Sequence, residues 1–298
     1  MKSKRQTLSF LQSRFREIGI RPNTKHGQNF LIDLNLVDFV ADAADIQPSD
    51  VVLEVGTGTG SLTARLAERA AEVITVEIDL QLHNLAREEL FGVENVTFLQ
   101  QDVLRNKNNF DEKVLNLIAE KVTPGRGFKL VANLPYNVAT PVMSNLLLID
   151  QYPDSMTVMI QKELADRMVA KPCTKDYGSL SVWMQSVATT EILKEVPPAV
   201  FFPRPKVTSA IVQVVSDKER REAIPDLVFF HQFTRRIFLH RRKFLRSSIL
   251  GAWKGELDKP DVDSIMAELQ MSRETRAEEL NIETMQRLCE AIRNRVGE

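Results

Sequence analysis

The sequence predicts an α/β fold, a mostly parallel sheet wrapped by helices and followed by a smaller, all-helical C-terminal domain. Three observations carry that expectation. From about residue 51 to 160, short apolar runs ("VVLEV", "VITVE", "VTFLQ", "FKLVAN", "MTVMIQ") alternate with helical patterns, the signature of βαβ units. Two further runs, "TTEILKEV" and "TSAIVQVV", follow with no long helix between them and predict a hairpin closing the sheet edge. Beyond "SDKERREAIPD", residues 219–298 place apolar residues at helical spacing, as in "MQRLCEAIRNRV", and contain no strand-like run. The boundary is expected near Ser216, giving domains 1–216 and 217–298.

The chain has 298 residues and 43% hydrophobic content, enough for one large core and a smaller one. No run of about 18 apolar residues is present, so no membrane span is expected. The first residues lack the apolar stretch of a secretory signal, although their Arg/Ser-rich character also resembles a transit peptide. Only Cys173 and Cys289 occur, far apart, which points to a reducing compartment, the cytoplasm, and provides no disulfide framework. His26, His83, His231 and His240 are scattered, so no metal site is expected, and two lone cysteines cannot hold an iron-sulfur cluster. Net charge is −1, but it is unevenly spread. Lys2, Lys4, Arg5, Arg14, Arg16, Arg21 and Lys25 face a single acid, Glu17, in residues 1–27, and residues 231–254 hold Arg235, Arg236, Arg241, Arg242, Lys243, Arg246 and Lys254 with no acid.

The first apolar run ends in "LEVGTGTGSLTARLAERA", a strand, a glycine turn and a helix. Gly56, Gly58 and Gly60 let backbone approach a ligand at the helix N-terminus. The spacing is G-x-G-x-G preceded by Glu54, not the G-x-G-x-x-G that seats a dinucleotide pyrophosphate, which disfavours a dehydrogenase. Glu77 closes the next strand 21 residues after Gly56, placed to accept from both hydroxyls of a ribose. It fits that role better than Asp79. Asp102, at the tip of the third strand, can accept from an exocyclic amino group, the competing reading being a helix N-cap. An adenosine-bearing ligand without a pyrophosphate is most simply S-adenosylmethionine.

The fourth strand ends in "VANLPYNVAT", residues 131–140, where an apolar run stops on an amide, a proline and an aromatic ring. Asn133, the carbonyl of Leu134 and the ring of Tyr136 could together grip a flat molecule carrying an amino group. A methyl donor beside an amino-bearing acceptor implies an amino methyltransferase. The tract "TRRIFLHRRKFLR" interleaves cations with apolar residues and reads either as an amphipathic helix with a solvated basic face or as an RNA-phosphate contact through Arg241, Arg242 and Lys243.

Nine segments, in order, resemble the ribosomal small-subunit RNA adenine dimethyltransferases and cover nearly the whole chain. They are "GIRPNTKHGQNFLID" (19–33), "LEVGTGTGSLT" (53–63), "VEID" (76–79), "QQD" (100–102), "NLPYNVATP" (133–141), "IQKELADRM" (160–168), "DYGSLSV" (176–182), "VPPAVFFPRPKVTSAIV" (196–212) and "RRKFLRSSI" (241–249). The resemblance implies a Rossmann-like, S-adenosylmethionine-dependent methyltransferase sheet and a helical, ribosome-contacting C-terminal domain. It implies dimethylation of N6 on two adjacent adenosines near the 3′ end of 16S rRNA in a pre-30S particle, with S-adenosylhomocysteine as product, by a monomer. Carried over by residue, it implies that Asn29 and Leu31 close over the donor and that Gly56 lies under its methionine part. Gly58 shares the donor turn, Glu77 takes the ribose, Asp102 takes the adenine amino group, and Asn133 lies where donor and target meet. Leu134 would accept from the target amine, Tyr136 would stack on the base, and Phe201 would offer a second aromatic face, Phe202 being the neighbour and not the match.

The chain departs from the family pattern at several points: Thr57 stands where Pro is frequent, Ala132 where Gly is usual, and Phe244 and Ser247 where Thr and Asn are commoner. The segment from Val103 to Lys129 is longer than usual, with Gly125 and Gly127 suggesting a surface loop. Two other functions compete: a large-subunit rRNA adenine methyltransferase sharing the "NLPY" motif, and a small-subunit assembly factor for which methylation is dispensable.

Overall fold

The computed structural model describes residues 8–19, 22 and 27–297. Lys2, Lys4, Arg5, Arg21, Lys25 and His26 therefore lie outside the described residues. The central sheet has seven strands: β1 (Val51–Val55), β2 (Glu72–Glu77), β3 (Val96–Gln100), β4 (Phe128–Asn133), β5 (Ser155–Gln161), β6 (Ala188–Val196) and β7 (Ser209–Ser216). Their spatial order is β3-β2-β1-β4-β5-β7-β6. Strands β1 to β5 pair in parallel, and β7 runs antiparallel to β5. Every residue of β1 is buried, which explains why that strand reads as a continuous apolar run instead of an alternating one. Its one acid, Glu54, is thereby carried into the interior, 1% exposed.

Helices Leu34–Ala43, Ser61–Ala67, Leu80–Glu89, Glu112–Lys121 and Ala139–Leu146 fill the connections. Leu36, Val40 and Leu66 from the first two pack on Val52, Val73, Val131 and Ile211 of the sheet. Asp33, Asp79 and Asp111 cap three of these helices, each accepting from backbone N–H groups of the first turn. Residues 103–121 are mostly regular, and the surface loop expected around Gly125 and Gly127 is a short turn with residues 123–126 exposed. A small hairpin, Leu104–Asn106 with Asn109–Phe110, is followed by the helix Glu112–Lys121, and Gly127 is packed close to Asp50 and Asp154. The helix was obscured in the sequence because only Val114 and Ile118 of its ten residues are buried. A second ribbon pairs Phe30 with Phe202 and Leu31 with Phe201.

The chain forms two compact units, residues 1–165 with 191–216 and residues 166–190 with 217–298. Residues 166–190 thus group with the C-terminal helices, whereas the sequence boundary at 216 assigned them to the first domain. The cause is the helix Ser179–Val187, whose Trp183 approaches Phe230 at 6.4 Å and His231 at 4.7 Å between ring centroids. In the same unit Phe233 meets Trp253 at 5.7 Å and the Tyr177 hydroxyl donates to the Leu280 carbonyl at 2.7 Å.

Candidate active site

Four parallel strand tips open into one cavity, the position where α/β sheets bind ligands. Its lining includes Asn29, Phe30, Leu31, Glu54, Gly56, Thr57, Gly58, Glu77, Asp102, Asn133, Leu134, Pro135 and Tyr136, all in the first unit. Its open volume, including the solvent at its mouth, is ≈ 1260 Å³.

One side of the cavity is built on the glycine turn after β1. Gly56 has φ 87° and Gly58 φ 56°, left-handed values that side chains rarely adopt. A Cβ on Gly56 would lie 3.4 Å from Pro135 Cδ and 3.7 Å from the Asn133 carbonyl oxygen, so the turn rests directly on the "NLPY" segment. Glu77, 5% exposed, accepts from the Gly58 N–H through Oε2 at 2.9 Å and from the Asp79 N–H through Oε1 at 3.0 Å. Burial raises its pKa, and the two backbone bonds oppose that rise. Each oxygen keeps a lone pair, so the carboxylate can still accept two hydroxyls. Asp79 is committed elsewhere, capping the helix Leu80–Glu89 and accepting from Gln28 at 3.3 Å. Asp102 is exposed at the cavity and accepts from the Leu104 N–H at 2.9 Å. A strand begins there, not a helix, so the N-cap reading of Asp102 does not apply.

The facing side is the end of β4. The Asn133 amide donates to the Asn29 carbonyl at 3.0 Å, fastening the N-terminal strap over the cavity. Leu134, 1% exposed, donates its N–H to the Met159 carbonyl at 3.1 Å, which fixes the backbone that carries its own carbonyl. The Tyr136 hydroxyl lies 2.6 Å from the Ser209 hydroxyl, and its pKa is raised by burial.

Phe201 is not brought to the cavity. It is 3% exposed and packs in the sheet core with Val196, Ile211 and Met159, because its pairing with Leu31 turns the ring inward. Phe201 is not among the residues lining the cavity, whose aromatic members are Phe30 and Tyr136.

The basic tract is not one helix. A helix ends at Ile237, residues 238–244 turn, and another begins at Leu245. Nor is the tract without acids in three dimensions. Arg241 donates to the Lys175 carbonyl at 2.8 Å and pairs with Glu278 at 3.3 Å, and Arg246 pairs with Asp263 at 2.5 Å. Those acids lie far along the chain, invisible to a local charge count. Arg242 and Lys243 are exposed.

Sequence reasoning missed a buried hydroxyl network beneath the glycine turn. Thr63 and Thr75 each donate to Glu54 Oε2 at 2.6 Å, and Thr57 lies 2.6 Å from Thr75. The signal available was Thr57 in a position where the family often has Pro. Ser209, the partner of Tyr136, was also missed, though it closes the "FFPRPKVTS" segment.

The family described as "Ribosomal RNA adenine dimethylase" matches residues 19–294. This chain belongs to that family. Among dimethylase relatives, "Ribosomal RNA small subunit methyltransferase A" of Halothermothrix orenii is 38% identical over 274 residues, 91% of this chain and 88% of that protein. The protein of the same name from Pediococcus pentosaceus is 40% identical over 266 residues, 89% and 87% of the two chains. A dimethyladenosine transferase from Plasmodium falciparum shares the fold, with TM-score 0.73 and 23% identity over 89% of this chain and 98% of that one. The 23S rRNA methyltransferase ErmE superposes with TM-score 0.62 and 25% identity, covering 89% of this chain and all, 100%, of the other. The sheet is the Rossmann-like methyltransferase sheet expected.

The dimethylase family implies S-adenosylmethionine as methyl donor, and the residues present fit it. The turn carries glycines where the ligand must approach, Glu77 offers a buried carboxylate for vicinal hydroxyls, and Asp102, exposed at the cavity with only Oδ1 taken by the Leu104 N–H, can accept from an amino group. No helix among the described residues is long and apolar enough to cross a membrane.

Proposed function

We propose that this enzyme transfers methyl groups from S-adenosylmethionine to N6 of two adjacent adenosines near the 3′ end of 16S rRNA. The substrate is a pre-30S particle, the enzyme acts as a cytoplasmic monomer, and S-adenosylhomocysteine is the product. The observation that carries the proposal is one cavity holding Glu77 on one side and the Asn133–Leu134–Tyr136 segment on the other, with the glycine turn in contact with both.

When bound, the donor supplies an electrophilic methyl on a sulfonium. Adenine N6 is a weak nucleophile because its lone pair is delocalised into the ring. Asn133, whose amide nitrogen is tethered to the Asn29 carbonyl, presents its carbonyl oxygen to the amine, and the Leu134 carbonyl takes the second amino hydrogen. Held this way, the nitrogen lone pair points along the line of transfer, the positioning contribution to catalysis. The same carbonyl dipoles favour the positive charge that develops on nitrogen. Tyr136, tethered by Ser209, offsets part of the stacking lost when the base leaves its strand. Glu77 and Asp102 hold the donor's ribose and adenine. Arg242 and Lys243 contact RNA phosphates from the second unit.

The test is incubation with unmodified small-subunit particles and labelled S-adenosylmethionine, followed by mass analysis of the RNA. Two adjacent dimethyladenosines are expected. Label confined to large-subunit RNA, or none, overturns the assignment.

A further inference from the structure

The buried hydroxyl network has a direction. Thr75 donates to Glu54, so its oxygen accepts from Thr57, and the chain runs Thr57 to Thr75 to Glu54 Oε2, which Thr63 also reaches. All these bonds are 2.6 Å. They join the tip of the glycine turn, strand β2 and the helix Ser61–Ala67 to one carboxyl. The other oxygen, Oε1, has no partner among the described residues, while Glu54 lines the cavity. A buried acid on the cavity wall, with one oxygen doubly held, fits a hydrogen-bonding cation, and the donor carries one, its ammonium group.

We propose that Thr75 is a positioning residue for methyl-donor binding: by bridging Thr57 and Glu54 it sets the glycine turn at the height of the acid and holds Glu54 Oε1 toward the donor's ammonium group. The inference rests on the donor-site reading above. Thr57 makes this bridge possible, since a proline there has no hydroxyl to give. Glu54 takes up a proton in the absence of donor, because burial lifts its pKa to about 8, opposed by the bonds from Thr63 and Thr75 and helped by the charge of Glu77, the ionisable group that acts on it among the described residues. Donor binding requires the carboxylate. Affinity is therefore gained as pH rises through the Glu54 transition, and removing the Thr75 hydroxyl moves that transition upward.

The experiment measures S-adenosylmethionine affinity by calorimetry from pH 6 to 9 for the parent, Thr75→Val and Thr75→Ser. Thr75→Val, nearly the same shape, is expected to raise Kd about tenfold at neutral pH, the effect of one lost hydrogen bond to a charged group. It should also move the pH midpoint of binding upward. Thr75→Ser should restore both. The donor's own amino group titrates in the same range, but identically for every variant, so a displacement between variants belongs to the protein. A purely structural role would lower the melting temperature and leave the midpoint in place. Should Thr75→Val not fold, Thr57→Val breaks the chain from the turn and is expected to weaken binding to a similar degree. Parent affinity and parent midpoint in a folded variant overturn the proposal. A parent that binds no donor overturns the donor-site reading itself, and this inference with it.

Discussion

Asn133 donates its side-chain amide to the backbone carbonyl of Asn29 at 3.0 Å, across 104 residues of sequence. That bond takes one of the two amide hydrogens and fixes the amide so that its oxygen is available for the target amine. Asn133→Ala is expected to keep most donor affinity and to abolish transfer, because loss of a positioning group mainly raises the barrier. Calorimetry and mass analysis of the RNA check the two halves. Retained dimethylation removes Asn133 from the mechanism.

Glu77→Ala should weaken S-adenosylmethionine binding at least tenfold, since it deletes the ribose acceptor and frees the Gly58 and Asp79 N–H groups that the carboxylate now holds. The turn then loses its anchor on β2. Unchanged donor affinity would falsify the assignment.

Ser209→Ala should leave donor binding alone and raise KM for RNA several-fold, because the Tyr136 ring loses the hydroxyl tether at 2.6 Å. Tyr136→Phe should give a similar change, and combining the two should add little, as expected for residues that share one bond. Additive losses in steady-state kinetics would argue against the tether.

Phe201→Ala is expected to act on stability. Emptying a buried Phe site typically costs about 3–5 kcal/mol, and Phe201 is 3% exposed within the sheet core. Denaturant unfolding should show that loss. A variant of parental stability with defective base capture would return Phe201 to the substrate.

Arg242→Glu with Lys243→Glu should weaken binding to the ribosomal particle and flatten its salt dependence by roughly two units of slope, one per phosphate contact. Donor affinity should not change. Arg241→Glu differs, because it places an acid against Glu278 and disturbs the local turn. Unaltered particle affinity in the folded double variant would mean these cations are only solvated.

Much of the fold was legible because strand and helix periods differ. All seven sheet runs could be read as apolar stretches, and "VVLEV" matched β1 residue for residue. That the glycine turn and the acids at strand tips share one cavity was legible for a related reason: crevices form where parallel strands end, so the places of Glu77 and Asp102 follow from their positions in the sequence. Contacts between distant residues were not legible. Nothing in "FFPRPKV" says that pairing with Leu31 turns Phe201 inward, and no window around Arg241 contains Glu278. The Thr57–Thr75 pair was hidden likewise, its register with Glu54 being set only when β1 and β2 align.

The contact between Gly56 and Pro135 works as a spacer of fixed length. A Cβ at Gly56 would meet the Pro135 ring at 3.4 Å and the Asn133 carbonyl oxygen at 3.7 Å, so the turn and the "NLPY" segment are set against each other by a rigid ring and by main chain. Gly56→Ala would thicken that spacer and strain a φ of 87° at once. Reach, more than reactivity, is what the glycine governs.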